Sequence, residues 1–513
     1  MGRYFTITLA ACVLLLPLNG FGNDQSGRKS PASAEALISS GDLEGAEHLV
    51  WSVLTTNRND AHALTLLGTI RGLQHRLPEA ETLFRRAAEI DPKSSEAQSG
   101  LARALALQGK SEAAIEAYQR AESLAPKEVR LKIELAELYR DSGKPEAALA
   151  TLESLPSTRL NQRAILVRVS SLIDLHRADE AFSVARSAAA KSPDLSLEMA
   201  RMFVAAKQPD QALALLASAT VGGKQLDRVH YLKGQVLLEK GQTVPALAAF
   251  QKSVTLNPKA ADSMAAIAEI YSLQGNHSKS FETMQRVIKL DPDSVPTLRH
   301  FTVEAMKSGH TPAAAESALK LISLSADPED QYLGAAVLLD ANQEEDALGA
   351  LQKYTSARPD DAKGWLAFGM ANERLQHADG ARKAYDRSLQ LNPNLAESEF
   401  RLGLLSKVQN DTAAATQHFE RAIQIDPSKA RAFLEAGELY LQSGQLSHAL
   451  EFLQRAEALN PNDSETQYNL GLVLSKLGRI EESKQHMARY FQLYEGKSRQ
   501  APAAAGTAKN PGS

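Results

Sequence analysis

The sequence offers few residues whose type and spacing could do chemistry. Gly109-Lys110-Ser111 could close a phosphate-binding loop, in which backbone N–H groups and a lysine hold a phosphate. Such a loop needs a glycine five residues before its Gly-Lys pair, and Ala104 occupies that place. None of the twelve histidines belongs to a zinc-binding His-Glu-x-x-His pair, and no Gly-x-Ser-x-Gly nucleophile motif occurs. We therefore predict no enzyme, no cofactor and no metal site.

Cys12 is the only cysteine, and it lies in an N-terminal segment typical of export. Arg3 precedes an apolar run, 4–18, which is shorter than the roughly 20 residues that span a bilayer. We expect a signal peptide over 1–22, cleaved after Gly22. Two alternatives stay open, because the residues ending at Cys12 resemble a lipoprotein box and the run could also be retained as an anchor. The protein is therefore expected to be exported, periplasmic or secreted, either free or tethered to a membrane through its N-terminus.

Composition limits the classes of partner. The chain has 57 Lys and Arg against 61 Asp and Glu, a formal net charge of -4, so nucleic acid is not an expected partner. Aromatic residues make up 5% of the chain, whereas Ala and Leu are abundant and strand-forming residues are sparse. This composition favours helix throughout. We expect protein partners, whose identity the composition does not give.

Small residues recur along the chain at a spacing close to 34. The longest series is Ala46, Ala80, Ala114, Ala148, Ala181, Ala212, Ala246, Ser280, Ala314, Ala347, Ala381, Ala415, Ala449 and Ser483. A second series of small residues lies twelve residues earlier and includes Gly68, Gly234, Gly369, Gly403, Gly437 and Gly471. A proline often lies twelve residues after the first series, as at Pro92, Pro126, Pro258, Pro393 and Pro461. Such a period indicates one supersecondary unit used many times.

These three series predict two helices per unit that cross closely. Glycine within a helix costs about 1 kcal/mol relative to alanine, so its recurrence at one phase indicates that a neighbouring helix passes close by. A proline fits the first turn after a loop, where its missing N–H is not needed. Between the helices of a unit we predict a turn with a left-handed glycine, such as Gly109 or Gly444. Each helix can bury its apolar stripe only against its neighbours.

The pattern resembles the tetratricopeptide repeat, whose units open with Trp-x-x-Leu-Gly-x-x-Tyr and close with proline. One unit shows the resemblance through Trp365, Phe368, Gly369, Ala381, Tyr385 and Pro393. The resemblance implies an all-α fold, a right-handed α-solenoid of about 14 stacked helix pairs that covers nearly the whole mature chain. We predict a degenerate first repeat over 23–60, two array halves over 61–226 and 227–497, and a disordered tail over 498–513.

In this family the fifth residue of each first helix usually lies exposed in a concave groove. In the last five units this place is apolar, and the place four residues later is apolar in several of them. The predicted partner-binding residues are Tyr332, Leu366, Met370, Phe400, Leu404, Leu434, Tyr468 and Leu472. Residues four apart share one helix face, so these side chains would form an apolar ribbon for a partner segment. The alternative, that they pack against the next unit and extend the core, stays open.

We therefore predict a non-enzymatic scaffold of the cell envelope that binds partner segments in its concave groove. Two other roles stay open: a regulatory or substrate-presenting subunit of a separate envelope or glycan-processing enzyme, and a receptor for carbohydrate or lipid. Two specialisations of the family do not carry over. Thr65 and Thr69 stand where a carboxylate clamp needs Lys and Asn, and Leu66, Gly100 and Glu134 stand where an asparagine ladder would run.

Overall fold

The computed structural model describes residues 31–156, 160–219 and 225–500. The predicted signal peptide, Cys12 and the tail residues beyond 500 lie outside that part of the chain. Within the described residues, all regular structure is helical, with 28 α-helices and a 3-10 turn. The predicted all-α fold of about 14 stacked helix pairs is thereby confirmed.

The chain divides into two compact units, Met1–Ala260 and Ala261–Ser513. The described helices of the first unit are α1 (Pro31–Ser40), α2 (Leu43–Thr56), α3 (Ala61–Leu73), α4 (Leu77–Ile90), α5 (Ser95–Leu107), α6 (Ser111–Leu124), α7 (Val129–Asp141), α8 (Pro145–Glu153), α9 (Gln162–Asp174), α10 (Ala178–Lys191), α11 (Ser196–Ala205), α12 (Pro209–Ala219), α13 (Leu226–Glu239) and α14 (Thr243–Leu256). The 3-10 turn, Pro193–Leu195, precedes α11. Successive helices pack in pairs, and within the unit each pair packs on the next.

The second unit repeats this plan. Its described helices are α15 (Ala261–Leu273), α16 (His277–Leu290), α17 (Val295–Lys307), α18 (Thr311–Leu324), α19 (Pro328–Asp340), α20 (Glu344–Ala357), α21 (Ala362–Arg374), α22 (Ala378–Leu391), α23 (Ala396–Val408), α24 (Thr412–Ile425), α25 (Ala430–Gln442), α26 (Leu446–Leu459), α27 (Ser464–Lys476) and α28 (Ile480–Gln500). In each pair we call the odd-numbered helix the first helix and the even-numbered helix the second helix. The predicted division of the array near residue 226 and the predicted disorder of the tail stay predictions.

Polar caps and left-handed turns fix the ends of the first helices. Asp60 begins α3 and Asp463 begins α27 by accepting hydrogen bonds from the backbone N–H groups of Ala63 and Thr466, at 2.8 and 2.9 Å. At the other end the chain must adopt positive φ to turn into the second helix, and Gly109 and Gly444 both do so with φ of 76°. The predicted left-handed glycine turn is therefore confirmed.

The recurring glycines lie against aromatic rings of the second helices. A Cβ on Gly234, Gly369 or Gly403 would lie 2.4 to 2.6 Å from a ring atom of Phe250, Tyr385 or Phe419. These three rings are fully buried, at 0% exposure. The predicted close crossing is confirmed, because the space that each glycine leaves is occupied by the buried aromatic ring of the second helix in the same helix pair.

The Arg71–Glu47 pair links α3 to α2 and makes the first unit sensitive to acid. Arg71 donates two hydrogen bonds to Glu47, at 2.6 and 2.8 Å, and is only 7% exposed. Chiefly through these bonds, the pKa of Glu47 falls from 4.5 to about 2. A carboxyl group with a lowered pKa stabilises the fold above its unfolded value, and this contribution disappears as the pH falls towards the folded value.

We therefore expect acid to weaken the first unit between pH 4.5 and about 2, and Glu47→Gln to flatten this dependence. The measurement is hydrogen exchange of the α2 and α3 amides across that pH range, because exchange reports local opening in a repeat array. Glu44→Gln is a matched control on the same helix, since Glu44 is exposed. Identical pH profiles for the wild type and Glu47→Gln would contradict the prediction.

Candidate protein-interaction groove

The predicted ribbon residues lie on five first helices of the second unit. Tyr332 lies on α19, and Tyr468 and Leu472 lie on α27, with the others on α21, α23 and α25. The first helices α17 and α19, α19 and α21, and α25 and α27 are in direct contact. Side-chain ion pairs connect α21 to α23 and α23 to α25. The structure therefore places these five first helices side by side, in chain order.

Burial differs among the predicted ribbon residues. Phe400 and Leu434 are buried, at 7% and 2% exposure, whereas Tyr468 is 40% exposed. Tyr332, Leu366, Met370, Leu404 and Leu472 are half-buried. The buried pair therefore contributes mainly to packing, and contact with a partner depends on the six others. Their role in binding stays a prediction.

Phe400 shows why a fifth-place residue can be buried. Its ring packs against Phe419 of the neighbouring second helix, with 5.7 Å between ring centroids. The ammonium group of Lys429 lies 5.1 Å from the Phe400 centroid, in the geometry of a cation–π contact. Phe400 is thus covered by Phe419 from its own helix pair and by Lys429 from the loop that leads to the next helix pair.

The hydroxyl of Tyr354, next to the ribbon residue Tyr332, is held by a carboxylate. The Tyr332 ring packs at a tilt of 45° against the ring of Tyr354 on the second helix α20, with 5.0 Å between centroids. The Tyr354 hydroxyl donates a hydrogen bond to Asp361 at 2.6 Å. Burial, followed by the bond to Asp361, raises the pKa of Tyr354 well above its usual range. Tyr354 therefore remains a protonated donor that orders the start of α21.

A first set of ion pairs lies beside the ribbon on α21 and α23. Arg401 donates to Glu397 at 2.7 Å and to Glu373 at 3.3 Å, while Lys429 donates to Glu397 at 2.6 Å. Burial on its own would raise the pKa of Glu397, but the bonds from Lys429 and Arg401 hold it below the usual value. The Glu397 carboxylate is therefore ionised and is matched by two cations.

A second set of ion pairs continues onto α25 and α27. Lys407 contacts both Glu435 and Glu438, at 2.6 and 2.5 Å. Arg431 contacts Glu435 and Glu465, at 2.8 Å each. Burial would lower the pKa of Lys407, but its two carboxylate partners raise it above the usual value. The charged side chains along this part of the groove thus largely neutralise one another.

The small-residue and proline series do not predict these ion pairs, although the sequence carries a signal for one of them, Arg431–Glu465. The second residue of each first helix alternates in charge over five units, as Glu329, Lys363, Glu397, Arg431 and Glu465. Opposite charges 34 residues apart meet when two helices of an array lie side by side, as Arg431 and Glu465 do. Charge reversal at the repeat spacing therefore identifies this pair, and the other pairs need the structure.

The described residues give no support for a metal site or for a membrane-spanning helix. Among them no group of three or more His, Cys, Asp or Glu residues is placed to hold a metal ion. No described helix is both long and apolar enough to cross a membrane. In the first unit, a cavity of about 30 Å³ between Phe84, Gly100 and Arg103 has room for about one water molecule.

Comparison with known proteins agrees with this architecture. Tetratricopeptide repeat families match residues 65–129, 197–261, 231–295 and 332–396, residues 105–166 and 409–470, and residues 464–496. A peroxisomal targeting signal receptor from Candida albicans is 26% identical over 212 residues, which are 39% of this chain and 35% of the receptor. The chain thus matches about a third of that relative's length.

Similar solved structures come from several assemblies. The Naa15/Naa10 complex bound to HypK is 14% identical, with a TM-score of 0.38, and the match covers 91% of this chain and 94% of that one. The Cut9–Hcn1 hetero-tetramer is 14% identical, with a TM-score of 0.37 and coverage of 85% and 94%. MamA from Desulfovibrio magneticus is 21% identical, with a TM-score of 0.31 and coverage of 33% and 96%.

The matched repeats extend over more than half of the chain, from residue 65 to residue 496 with gaps. Repeats of this type generally act as non-catalytic scaffolds for protein interaction, and the paired helices of both units have that construction. The predicted absence of enzymatic activity stays a prediction for this chain. By its repeats and its helix pairing, the chain belongs to the tetratricopeptide repeat family.

Proposed function

We propose that this protein is an exported scaffold of the cell envelope that holds a segment of a protein partner in the groove formed by α19, α21, α23, α25 and α27. The observation that carries the proposal is a row of six apolar side chains that are at least partly exposed, on four of these first helices, α19, α21, α23 and α27. Tyr468 at 40% exposure is its most accessible member. The match to a receptor for a targeting signal is in keeping with a peptide segment as the partner.

The ion pairs beside the row restrict the chemistry of that segment. Arg401, Lys407, Arg431 and Lys429 each contact a carboxylate, so the groove offers few unpaired charges to a charged partner. Binding then depends on apolar area, which contributes about 25 cal/mol for each Å² removed from water. We expect a segment that presents apolar side chains and little net charge.

Export is supported by the N-terminal sequence alone, which combines Arg3, the apolar run 4–18 and Gly22. The mass of the mature N-terminus in the source organism tests this part of the proposal. A mature chain that begins at Asn23, or one that carries lipid on Cys12, would support export. An N-terminus that retains the whole run in a protein recovered from the cytosol would refute it.

The groove itself is tested by Tyr468→Ser and Met370→Ser. Each change removes apolar contact area, so we expect the dissociation constant of the partner to rise at least about tenfold, or about 1.4 kcal/mol. The partner is first captured from an envelope extract with the wild-type chain and then titrated against each variant by calorimetry. Phe400 is unsuitable for this test, because it is 7% exposed and its loss would disturb the core.

Leu459→Ser is the matched control for Tyr468→Ser. Leu459 is 37% exposed but lies on the second helix α26, away from the first-helix row. We expect this variant to bind like the wild type, and circular dichroism checks that all variants keep their helix content. Unchanged affinity in both groove variants would remove the groove from consideration, and an equal loss in the control would show an indirect effect.

A further inference from the structure

The groove ends at a pair of tyrosines that repeats, without its cover, a pair found earlier in the second unit. The rings of Tyr332 and Tyr354 pack at 45°, with 5.0 Å between centroids. Those of Tyr468 and Tyr490, four repeats later, pack at 51° with 5.3 Å between centroids. Each pair joins the fifth residue of a first helix to a ring on the second helix that follows. The earlier pair therefore shows what the later pair lacks.

In the earlier pair the next first helix, α21, covers the Tyr354 ring. The Tyr354 hydroxyl donates a hydrogen bond to Asp361 at 2.6 Å. The Asp361 side chain also caps α21, because it accepts the backbone N–H groups of Lys363 and Gly364. Gly364 leaves room for the ring, since an added Cβ would lie 2.4 Å from it. The cover thus matches the tyrosine through a carboxylate at the helix start and a glycine three residues later.

At Tyr490 the described part of the chain supplies no such cover. The places that correspond to the carboxylate and the glycine are held by Lys497 and Gln500. Both residues lie within α28, which runs on as one helix instead of turning back over its own ring. Among the described residues only α27 packs extensively on α28. Tyr354 is consequently 6% exposed, whereas Tyr490 is half-buried.

The uncovered rings form one surface with the end of the groove. Phe491 and Tyr494 are 58% and 59% exposed, and their centroids lie 5.2 and 5.9 Å from that of Tyr490. Tyr468, on the groove side of Tyr490, is 40% exposed. We call these four residues the aromatic end. A contiguous exposed group of this kind indicates an interaction surface.

The register of α28 on α27 is that of the preceding helix pair. An added Cβ on Gly471 would lie 2.9 Å from Met487, as one on Gly437 would lie 2.8 Å from Leu453, 34 residues before Met487. In the second unit the second helices α20, α22, α24 and α26 each pack against the first helix that follows. The uncovered face of α28 is therefore shaped for one more first helix.

We propose that the aromatic end binds a helix of the protein partner, in the place that a further first helix of the array would take. The inference rests on the proposed function, since it names the part of the partner that the end of the groove holds. The helix begins with a carboxylate that accepts a hydrogen bond from the Tyr490 hydroxyl and carries a glycine three residues later. Its apolar side chains contact Phe491 and Tyr494. First helices of 13 residues are about 20 Å long, and α28, at about 31 Å, spans that length.

Other occupants match this description less well. Residues 501–513 contain no Asp or Glu, so they offer no side-chain carboxylate for a helix start. Gly506 and Pro511 also disfavour a helix as long as the first helices of the array. In a second copy of this chain, the first described helix α1 has no acidic residue in its first turn.

A synthetic peptide of residues 358–374, which carries Asp361 and Gly364, tests whether the aromatic end binds a first helix. We expect the full chain to bind this peptide and Tyr490→Phe to raise the Kd at least about tenfold, because a hydrogen bond to a charged group is lost. Asp361→Ala in the peptide should weaken binding as well, and the two effects should not add, because both changes remove the same bond. A peptide with Gly364→Leu should not bind. Val408→Ser is the matched control in the chain, since Val408 is 81% exposed and lies on α23.

Several outcomes of this experiment overturn the proposal. One is no binding of the peptide up to about 1 mM, and another is additive effects of Tyr490→Phe and Asp361→Ala. Removal of residues 501–513 should leave the Kd of the peptide unchanged, and a tenfold gain in affinity would show that the chain covers its own rings. A dimer of the full chain that the peptide dissociates in light scattering would make a second copy the occupant.

The partner captured from an envelope extract separates this inference from the proposed function. We expect the peptide to compete with the partner, and Tyr490→Phe and Tyr494→Ser each to raise the Kd of the partner at least about tenfold. If Met370→Ser weakens the partner and the two changes on α28 do not, the groove stands and the helix at the aromatic end is wrong. If none of the three changes affects the partner, the proposed function is wrong as well.

Discussion

Replacing Phe419 with alanine is expected to destabilise the second compact unit by about 3–5 kcal/mol, the usual cost of removing a buried aromatic ring. Phe419 is 0% exposed and packs against Phe400. The cavity cannot fill easily, because Gly403 on the opposite helix has no side chain to move into it. Hydrogen exchange of the α23 and α24 amides measures the loss where it occurs, since a repeat array can open one pair at a time.

Gly403→Ala provides an internal control for this prediction. In the wild type an added Cβ would lie 2.6 Å from the Phe419 ring, so we expect a loss of about 1–3 kcal/mol from overpacking. In the Phe419→Ala background the ring is gone, and the same change should stabilise α23 by about 1 kcal/mol, the helix preference of alanine over glycine. Equal effects of Gly403→Ala in both backgrounds would show that the ring and the glycine are not coupled.

The fold could be predicted from the sequence because close helix contact restricts residue type. Gly369 and Gly403 are unfavourable inside helices, so their presence at the repeat spacing indicates what lies opposite them. The left-handed turn at Gly444 is equally visible. By contrast, six of the turns use residues such as His75, Asn342 and Gln376 with φ between 56° and 60°, and a sequence pattern that relies on glycine does not identify these turns.

The groove was harder to predict, because burial there depends on side chains from neighbouring helices. Phe400 and Tyr468 occupy the same place in their repeats, yet one is 7% exposed and the other 40%. The difference arises because Phe400 is covered by Phe419 and Lys429, whereas Tyr468 contacts only Tyr490 among the aromatic rings described. These neighbours lie up to 29 positions away in the sequence, and a pattern within one repeat does not show which distant residues will cover a given side chain.

The Arg299–Asp330 pair is a second place where one substitution should have a large effect. Arg299 on α17 donates hydrogen bonds to both carboxylate oxygens of Asp330 on α19, at 2.5 and 2.8 Å, and Ser325 donates a third at 2.6 Å. Asp330 is 0% exposed. Chiefly because of the bonds from Arg299, the pKa of Asp330 is lowered below its usual 3.8.

We expect Arg299→Met to cost about 2 kcal/mol at neutral pH, because it leaves a buried carboxylate without its cation. The loss should fall short of the roughly 3–5 kcal/mol of a fully buried pair, since the Arg299 side chain is 44% exposed and water screens it. A lowered pKa stabilises the fold above pH 3.8, so the difference between wild type and variant should shrink as the pH falls below that value. Urea unfolding at neutral and acidic pH measures both effects.

The double variant Arg299→Met with Asp330→Asn separates charge from packing. If the unpaired carboxylate causes the loss, the neutral amide should restore part of the stability at neutral pH, and the pH dependence should be weaker than in the wild type. The amide keeps its size and can still accept the hydrogen bond from Ser325. A double variant as unstable as Arg299→Met alone would mean that the arginine stabilises the contact between α17 and α19 through its packed methylene groups, independently of the charge on Asp330.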